Sequence, residues 1–350
     1  MIVLLFSSLP LIGRLNQPEA IVKLAIPYIK VVSLSLLPWM LFLAFLELGE
    51  GLGDTKPGMY AALIGNVANV FLDYVLIFGK PSFPKMGVTA AAIGTLVAQL
   101  SMLLFIFYSY YKREKFRKIL SQIDCKRYQI TRFKRLLKLG FPLALQGLFE
   151  EGVFTAAALI SGLVGITVLA AHEVLVSLVW MAALICSGFS TAATVRVSNN
   201  LGDGNYKAMR RVGFSALWMV AVLALVFGSA FIFLSDLLPR IYTNDAQVVR
   251  LVSSSLIVVA LFQFLDGIQG TLLGALMGLQ DVKAPTSISF VAYWVIAFPL
   301  SYVLAVPVNL GLSGIWIGLS IGLVFSTTSL YVRYAKKTRK LIQGSAHEVS

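Results

Sequence analysis

Four carboxylic acids, Asp73, Glu150, Glu151 and Asp266, stand within apolar runs of this sequence. A charge at membrane depth costs several kcal/mol unless it is paired, protonated or hydrated, so each acid is a candidate for reversible capture of a proton or a Na+ ion. Around Asp266, residues Gln263, Gln269 and Gly270 recur at helical steps of three and four, which places them along one side of a helix. Asn66, Asn69 and Asp73 repeat that spacing in a second run. Such a stripe must face a hydrated cavity or another helix. Glu47 and Glu50 lie near the end of their run and read as interfacial, while Glu173, beside His172, is ambiguous. Other chemistries lack their residues. There is no Gly-Lys-Ser/Thr phosphate loop and no His-Glu-x-x-His, and two histidines with two cysteines do not make a His/Cys metal cluster.

The elements that carry these residues are long and apolar. Hydrophobic residues make up 58% of the chain and charged ones 13%, with a mean hydropathy of +0.84. A soluble domain has about 25% charged residues, so the composition is that of an integral membrane protein. Runs of roughly 20 residues, enough to cross the hydrocarbon as helices, are predicted near 24–47, 59–79, 86–110, 139–163, 166–192, 211–235, 249–277, 286–307 and 312–334. The opening run 1–13 is too short to span, and no basic segment precedes it as in a signal peptide. The net charge of +13 is concentrated between runs, in 112–138, at Arg210 and Arg211, and in 333–340. All three segments fall on one side of the membrane, which the positive-inside bias makes cytoplasmic. That pattern explains the charge without a nucleic-acid partner. Cys125 in the basic loop and Cys186 in a run predict no disulfide.

The chain also repeats itself. Gly51-Leu52-Gly53-Asp54-Thr55-Lys56 returns as Gly278-Leu279-Gln280-Asp281-Val282-Lys283, and Asp54 and Asp281 share an offset of 227 with Ile21 and Val248. Further on, Met86-Gly87-Val88-Thr89 faces Leu310-Gly311-Leu312-Ser313 at an offset of 224. The expected fold is all-α, with two six-helix lobes related as parallel repeats in a twelve-helix plan. On that plan the first two helices and part of the third are missing here. The expected layout is an incomplete N-lobe over 1–110, a basic inter-lobe linker over 111–138, a C-lobe over 139–335 and a cytoplasmic tail over 336–350. Phe116, Ile119, Leu120 and Ile123 have helical spacing and suit a segment lying along the membrane surface. Asp54 and Asp281, present in both copies, read as scaffold that pins a cytoplasmic turn. Asp266 faces Trp39 and Asp73 faces Ser301 in the opposite copy, so these acids break the repeat.

Several ordered stretches resemble the multidrug and toxic compound extrusion (MATE) family: Gly51 to Pro57, Gly140-Phe141-Pro142 leading to Phe149-Glu150, Ala170-Ala171-His172-Glu173 with Ala192 to Gly202, and Phe262 to Gln269. The resemblance implies a secondary transporter, not an enzyme, exchanging Na+ or H+ for amphipathic organic cations across the cytoplasmic membrane. It has no cofactor beyond the coupling ion and is expected to be a monomer in the lipid bilayer. It implies that Glu150 and Asp266 are C-lobe coupling acids, and that Asn69 and Asp73, with Thr95, form an N-lobe cation site. A Na+ ion would sit at one of these two places. Phe262 stands where some branches carry a tyrosine. Trp39, Phe149, Phe154, Phe262, Tyr293 and Trp294 are candidate walls of the substrate cleft, together with Gln263 and Gln269. The competing readings are a lipid or lipid-linked oligosaccharide flippase, for which acidic spans are poorly suited, and a non-transporting assembly protein.

Overall fold

The structure, a computed structural model, describes residues 19–79, 87–114, 116, 118 and 130–348. The opening run 1–13, Cys125 and the proposed surface segment at 119–123 lie outside the described residues. Within them, nine helices are long and apolar enough to cross a membrane, one for each predicted run. Helix is what lipid demands, because a backbone without water must satisfy its N–H and C=O groups internally. The chain divides into two compact units, Met1–Tyr128 and Gln129–Ser350.

The first unit contains α1 (Glu19–Gly51), α2 (Lys56–Phe78) and α3 (Val88–Lys112), with α3 packed against both others. Phe42, Ala61, Met102, Ile106 and Tyr110 form its core, and the ring of Phe116 stacks on Tyr110 with centroids 3.9 Å apart. The α1–α2 turn places Gly53 in the left-handed region, at φ 76°. Asp54 at that turn pairs with Arg113 just past the end of α3.

The second unit runs α4 (Ile130–Val164), α5 (Ile166–Gly202), α6 (Tyr206–Phe233), the short α7 (Leu238–Tyr242), α8 (Ala246–Gly278), α9 (Lys283–Phe290), a π-helical segment Val291–Ala297, α10 (Phe298–Ala305) and α11 (Gly311–Glu348). Asn205 and Asp245 start α6 and α8 by accepting from the first free backbone N–H groups, at 3.1 Å from Ala208 N and 2.8 Å from Gln247 N. Helix α8 is the centre of the unit, packed on α5, α6 and α11. Its glycines let α5 approach closely: a Cβ on Gly274 would lie 2.5 Å from the Ser190 carbonyl oxygen. The hydroxyls of Ser190 and Thr194 donate across that seam to the carbonyls of Gly270 and Gly274, at 2.7 and 2.9 Å.

The structure modifies three predicted elements. Residues 130–138 of the expected linker are already helical, forming the charged start of α4, and α11 continues helically to Glu348. The run at 286–307 is not one regular helix: it widens into the π segment just before Pro299, a residue that cannot donate a backbone hydrogen bond.

Candidate functional site

In the second unit, Glu150 projects from α4 and Asp266 from α8, and the two half-buried carboxylates lie within electrostatic reach of each other. Both also lie within electrostatic range of the hydroxyl of Tyr293, which the π segment carries into the interior. Tyr293 is hydrogen bonded to the Gln269 side chain at 2.9 Å. Two acids, a phenol and an amide from α4, α8 and the π segment are thus brought into one neighbourhood. Glu151, the next residue on α4, is exposed.

An aromatic layer adjoins this group. Phe154, one turn beyond Glu150, meets Phe262 edge-on at 5.9 Å, and Phe262, one turn before Asp266, meets Trp316 of α11 edge-on at 5.1 Å. His172 is fully buried, with its ring 5.6 Å from Trp316, while Glu173 beside it is exposed. The ambiguous Glu173 is therefore a surface residue beside a core histidine.

The single stripe expected on α8 divides among several neighbours. Gln269 turns to Tyr293, the Gly270 carbonyl to Ser190 of α5, and Asp266 to Glu150 and to Cys186 of α5. Both amide atoms of Gln263 are buried without a hydrogen-bond partner among the described residues.

The residues expected along the substrate cleft differ in exposure. Phe262, Gln263, Gln269 and Tyr293 are each at most 2% exposed, packed among the helices of the unit. Phe149, Phe154 and Trp294 keep exposed surface. Phe149 packs on Phe290 at 5.0 Å, and Trp294 lies on Gly152, where a Cβ would approach its ring to 2.9 Å. Trp39 packs on Phe42 within the first unit, their rings 5.6 Å apart.

A second candidate site lies in the first unit. Asn69 and Asp73 of α2 lean over Gly94 of α3, where a Cβ would sit against Asp73 Oδ1 and 3.3 Å from Asn69 Nδ2. Thr95 follows Gly94, and its hydroxyl donates to the Ala91 carbonyl at 2.9 Å. Asp73 Oδ1 and Gln99 Oε1 are buried without a hydrogen-bond partner among the described residues. Asn66, the third member of that stripe, is exposed in a surface hollow with Val67, Val70, Phe71 and Tyr74. Neither place gathers three acid, histidine or cysteine ligands among the described residues. Amide, hydroxyl and carbonyl oxygens would have to complete the shell of any ion held there, which suits a hard monovalent cation better than a transition metal.

Gly94, Gln99 and Trp316 escape sequence reasoning. Gly94 matters through what lies over it, Gln99 sits four residues after Thr95, and Trp316 resembles any packing aromatic until Phe262 and His172 are seen against it.

An all-helical membrane protein that keeps carboxylates and amides at two places inside its spans has the build of a secondary transporter. The sequence profile of the MatE family matches residues 1–75 and 142–303, and the chain belongs to that family of MATE transporters. It is 30% identical over 336 residues to the probable multidrug resistance protein NorM of Bacillus thuringiensis subsp. konkukian, covering 96% of this chain and 74% of the relative. Against the NorM of Rhodopseudomonas palustris it is 33% identical over 337 residues, covering 94% and 70%. The fold matches a mutant of the Vibrio cholerae MATE transporter VcmN with a TM-score of 0.86 at 18% identity, over 97% of this chain and 75% of that one. It also matches an outward-facing multidrug resistance MATE transporter with a TM-score of 0.87 at 20% identity, over 97% and 76%. The protein is a multi-pass membrane transporter, not an enzyme.

Proposed function

We propose that this MATE transporter exports amphipathic organic cations, drugs or metabolites, across the cytoplasmic membrane in exchange for Na+ or H+. The observation that carries the reading is the convergence of Glu150 and Asp266 on the Tyr293–Gln269 pair inside the second unit. Two acids within each other's field disfavour double ionisation, so a cation bound between them, or a proton on one, relieves the repulsion. Cation binding and drug binding then favour different conformations, and exchange follows from that linkage.

Asn69, Asp73 and Thr95 are the second candidate cation set, supported by the buried Asp73 oxygen above Gly94. Phe149, Phe154 and Trp294 supply the aromatic surface for an organic cation, and Phe262, Gln263, Gln269 and Tyr293 form the layer behind it. Relatives described as probable multidrug resistance proteins support this reading. The test is dye transport by the protein in proteoliposomes under an imposed Na+ gradient and, separately, a pH gradient. Uptake driven by one gradient and not by an equal gradient of K+ is expected; uptake indifferent to both Na+ and pH refutes coupling.

A further inference from the structure

The repeated cytoplasmic loop is held differently in the two copies. Asp54 pairs with Arg113 after α3. Its counterpart Asp281, 7% exposed, pairs with Lys337 at 3.1 Å, which stands where Arg113 stands by the 224-residue offset. Asp281 then takes a second cation: Arg333 donates through Nε and Nη2 to its two oxygens, at 2.8 and 3.0 Å. The position before the aspartate also differs. Gly53 becomes Gln280, which keeps the left-handed backbone at φ 55° and accepts from Arg135 Nη2 of α4 at 2.9 Å.

These bonds tie the start of α4, the α8–α9 loop and α11 around a cavity of about 670 Å3, a volume typical of small-molecule sites. Lys134, Arg135, Lys138, Lys283 and Arg333 line it, and Asp281 is the one acid among its lining residues. That acid is already neutralised by Arg333 and Lys337. Lys134, Lys138 and Lys283 have no carboxylate partner among the described residues. The cavity is therefore a pocket of net positive charge with donors from three elements, a site for an oxyanion.

Its place in the chain says which oxyanion. The lysines of α4 directly precede the apolar stretch of the same helix, and α8 and α9, which flank the loop, both belong to spans. On α4, Leu137 and Phe141 lie within a helical turn of Lys134 and Lys138 and are 53% and 66% exposed. A ligand with a phosphate head among the basic groups and hydrocarbon along Leu137 and Phe141 fits both halves. We infer that this cavity is a binding site for the phosphate headgroup of an anionic glycerophospholipid of the cytoplasmic leaflet, bracing α4 against the α8–α9 loop and α11. Basic pockets between transmembrane helices on that side favour such headgroups. The inference stands independently of which ion or drug is transported.

The test is native mass spectrometry of the full chain purified in neutral detergent with equal phosphatidylglycerol and phosphatidylcholine. Wild type is expected to retain phosphatidylglycerol in preference. The Lys134→Gln, Lys138→Gln, Lys283→Gln variant should lose at least tenfold in that occupancy, whereas a charge-matched Arg196→Gln, Lys207→Gln, Arg211→Gln variant keeps it. Should the triple variant not purify as a monodisperse protein, Lys138→Glu alone, on an exposed position, should show a several-fold loss. Equal retention of the two lipids, an equal loss in the charge-matched variant, or no loss in either lysine variant overturns the site. Displacement of phosphatidylglycerol by millimolar inorganic phosphate also overturns it, assigning the pocket to a free anion.

Discussion

Replacing Gly94 with alanine separates the stability of the first unit from the integrity of its candidate cation site. The new methyl would meet Asp73 Oδ1 and stand 3.2 Å from Asp73 Cγ and 3.3 Å from Asn69 Nδ2, with no other atoms as near. Overpacking costs about 1–3 kcal/mol, and alanine is a better helix former than glycine by about 1 kcal/mol. Net stability should thus fall by no more than about 2 kcal/mol, because Asp73 can rotate away instead of displacing backbone. That rotation moves the carboxylate by on the order of 1 Å from where Asn69 and Thr95 could share a ligand with it. A loss of about 1.4 kcal/mol in cation binding is tenfold in affinity. The assay is the shift in melting temperature with added Na+, and with acidification, in a Glu150→Gln, Asp266→Asn background that removes the candidate carboxylates of the second unit. Gly188→Ala, where a Cβ meets no atom within 4 Å, controls for the change in helix propensity. The reasoning fails if Gly94→Ala and Gly188→Ala show the same cation response as their parent.

Two further outcomes follow from the second unit. Burial alone would raise the pKa of Asp281, but the hydrogen bonds and charges of Arg333 and Lys337 outweigh it and hold the carboxyl below the usual range. Its stabilising contribution is then complete above the unfolded value, about 3.9, and is lost as pH falls through the lower folded value. Asp281→Asn should lower stability by about 1–2 kcal/mol at pH 7, discounted for the partial exposure of Arg333. The gap from wild type should close in melts taken toward pH 3. Tyr293→Phe leaves the buried Gln269 amide without its partner and should cost about 1–3 kcal/mol, whereas Tyr293→Phe with Gln269→Leu should recover part of that loss. Melting temperatures of the two variants check this, and equal losses would contradict it.

The spans were legible because lipid allows few alternatives: a run of about twenty apolar residues has to close its own backbone hydrogen bonds. The scaffold role of Asp54 and Asp281 was readable from their recurrence. Their partners were not, since Arg113 is 59 residues from Asp54 and Arg333 is 52 from Asp281, distances that helical periodicity does not bridge. The stripe of Gln263, Asp266 and Gln269 was visible as polarity, but how α4, α5 and the π segment divide it depends on packing. A proline at 299 allows an irregular helix but does not specify a π segment. Gly94 carried no signal of its own, because its significance is the space it leaves for two side chains of another helix.

In the proposed function, Glu150 and Asp266 couple the cation to transport. The decisive experiment is efflux of a cationic dye from cells expressing the protein, with Glu150→Gln and Asp266→Asn made singly at matched membrane levels. Efflux should fall to near background in each variant while the melting temperature stays close to wild type. Efflux by both variants at the wild-type rate would contradict the account.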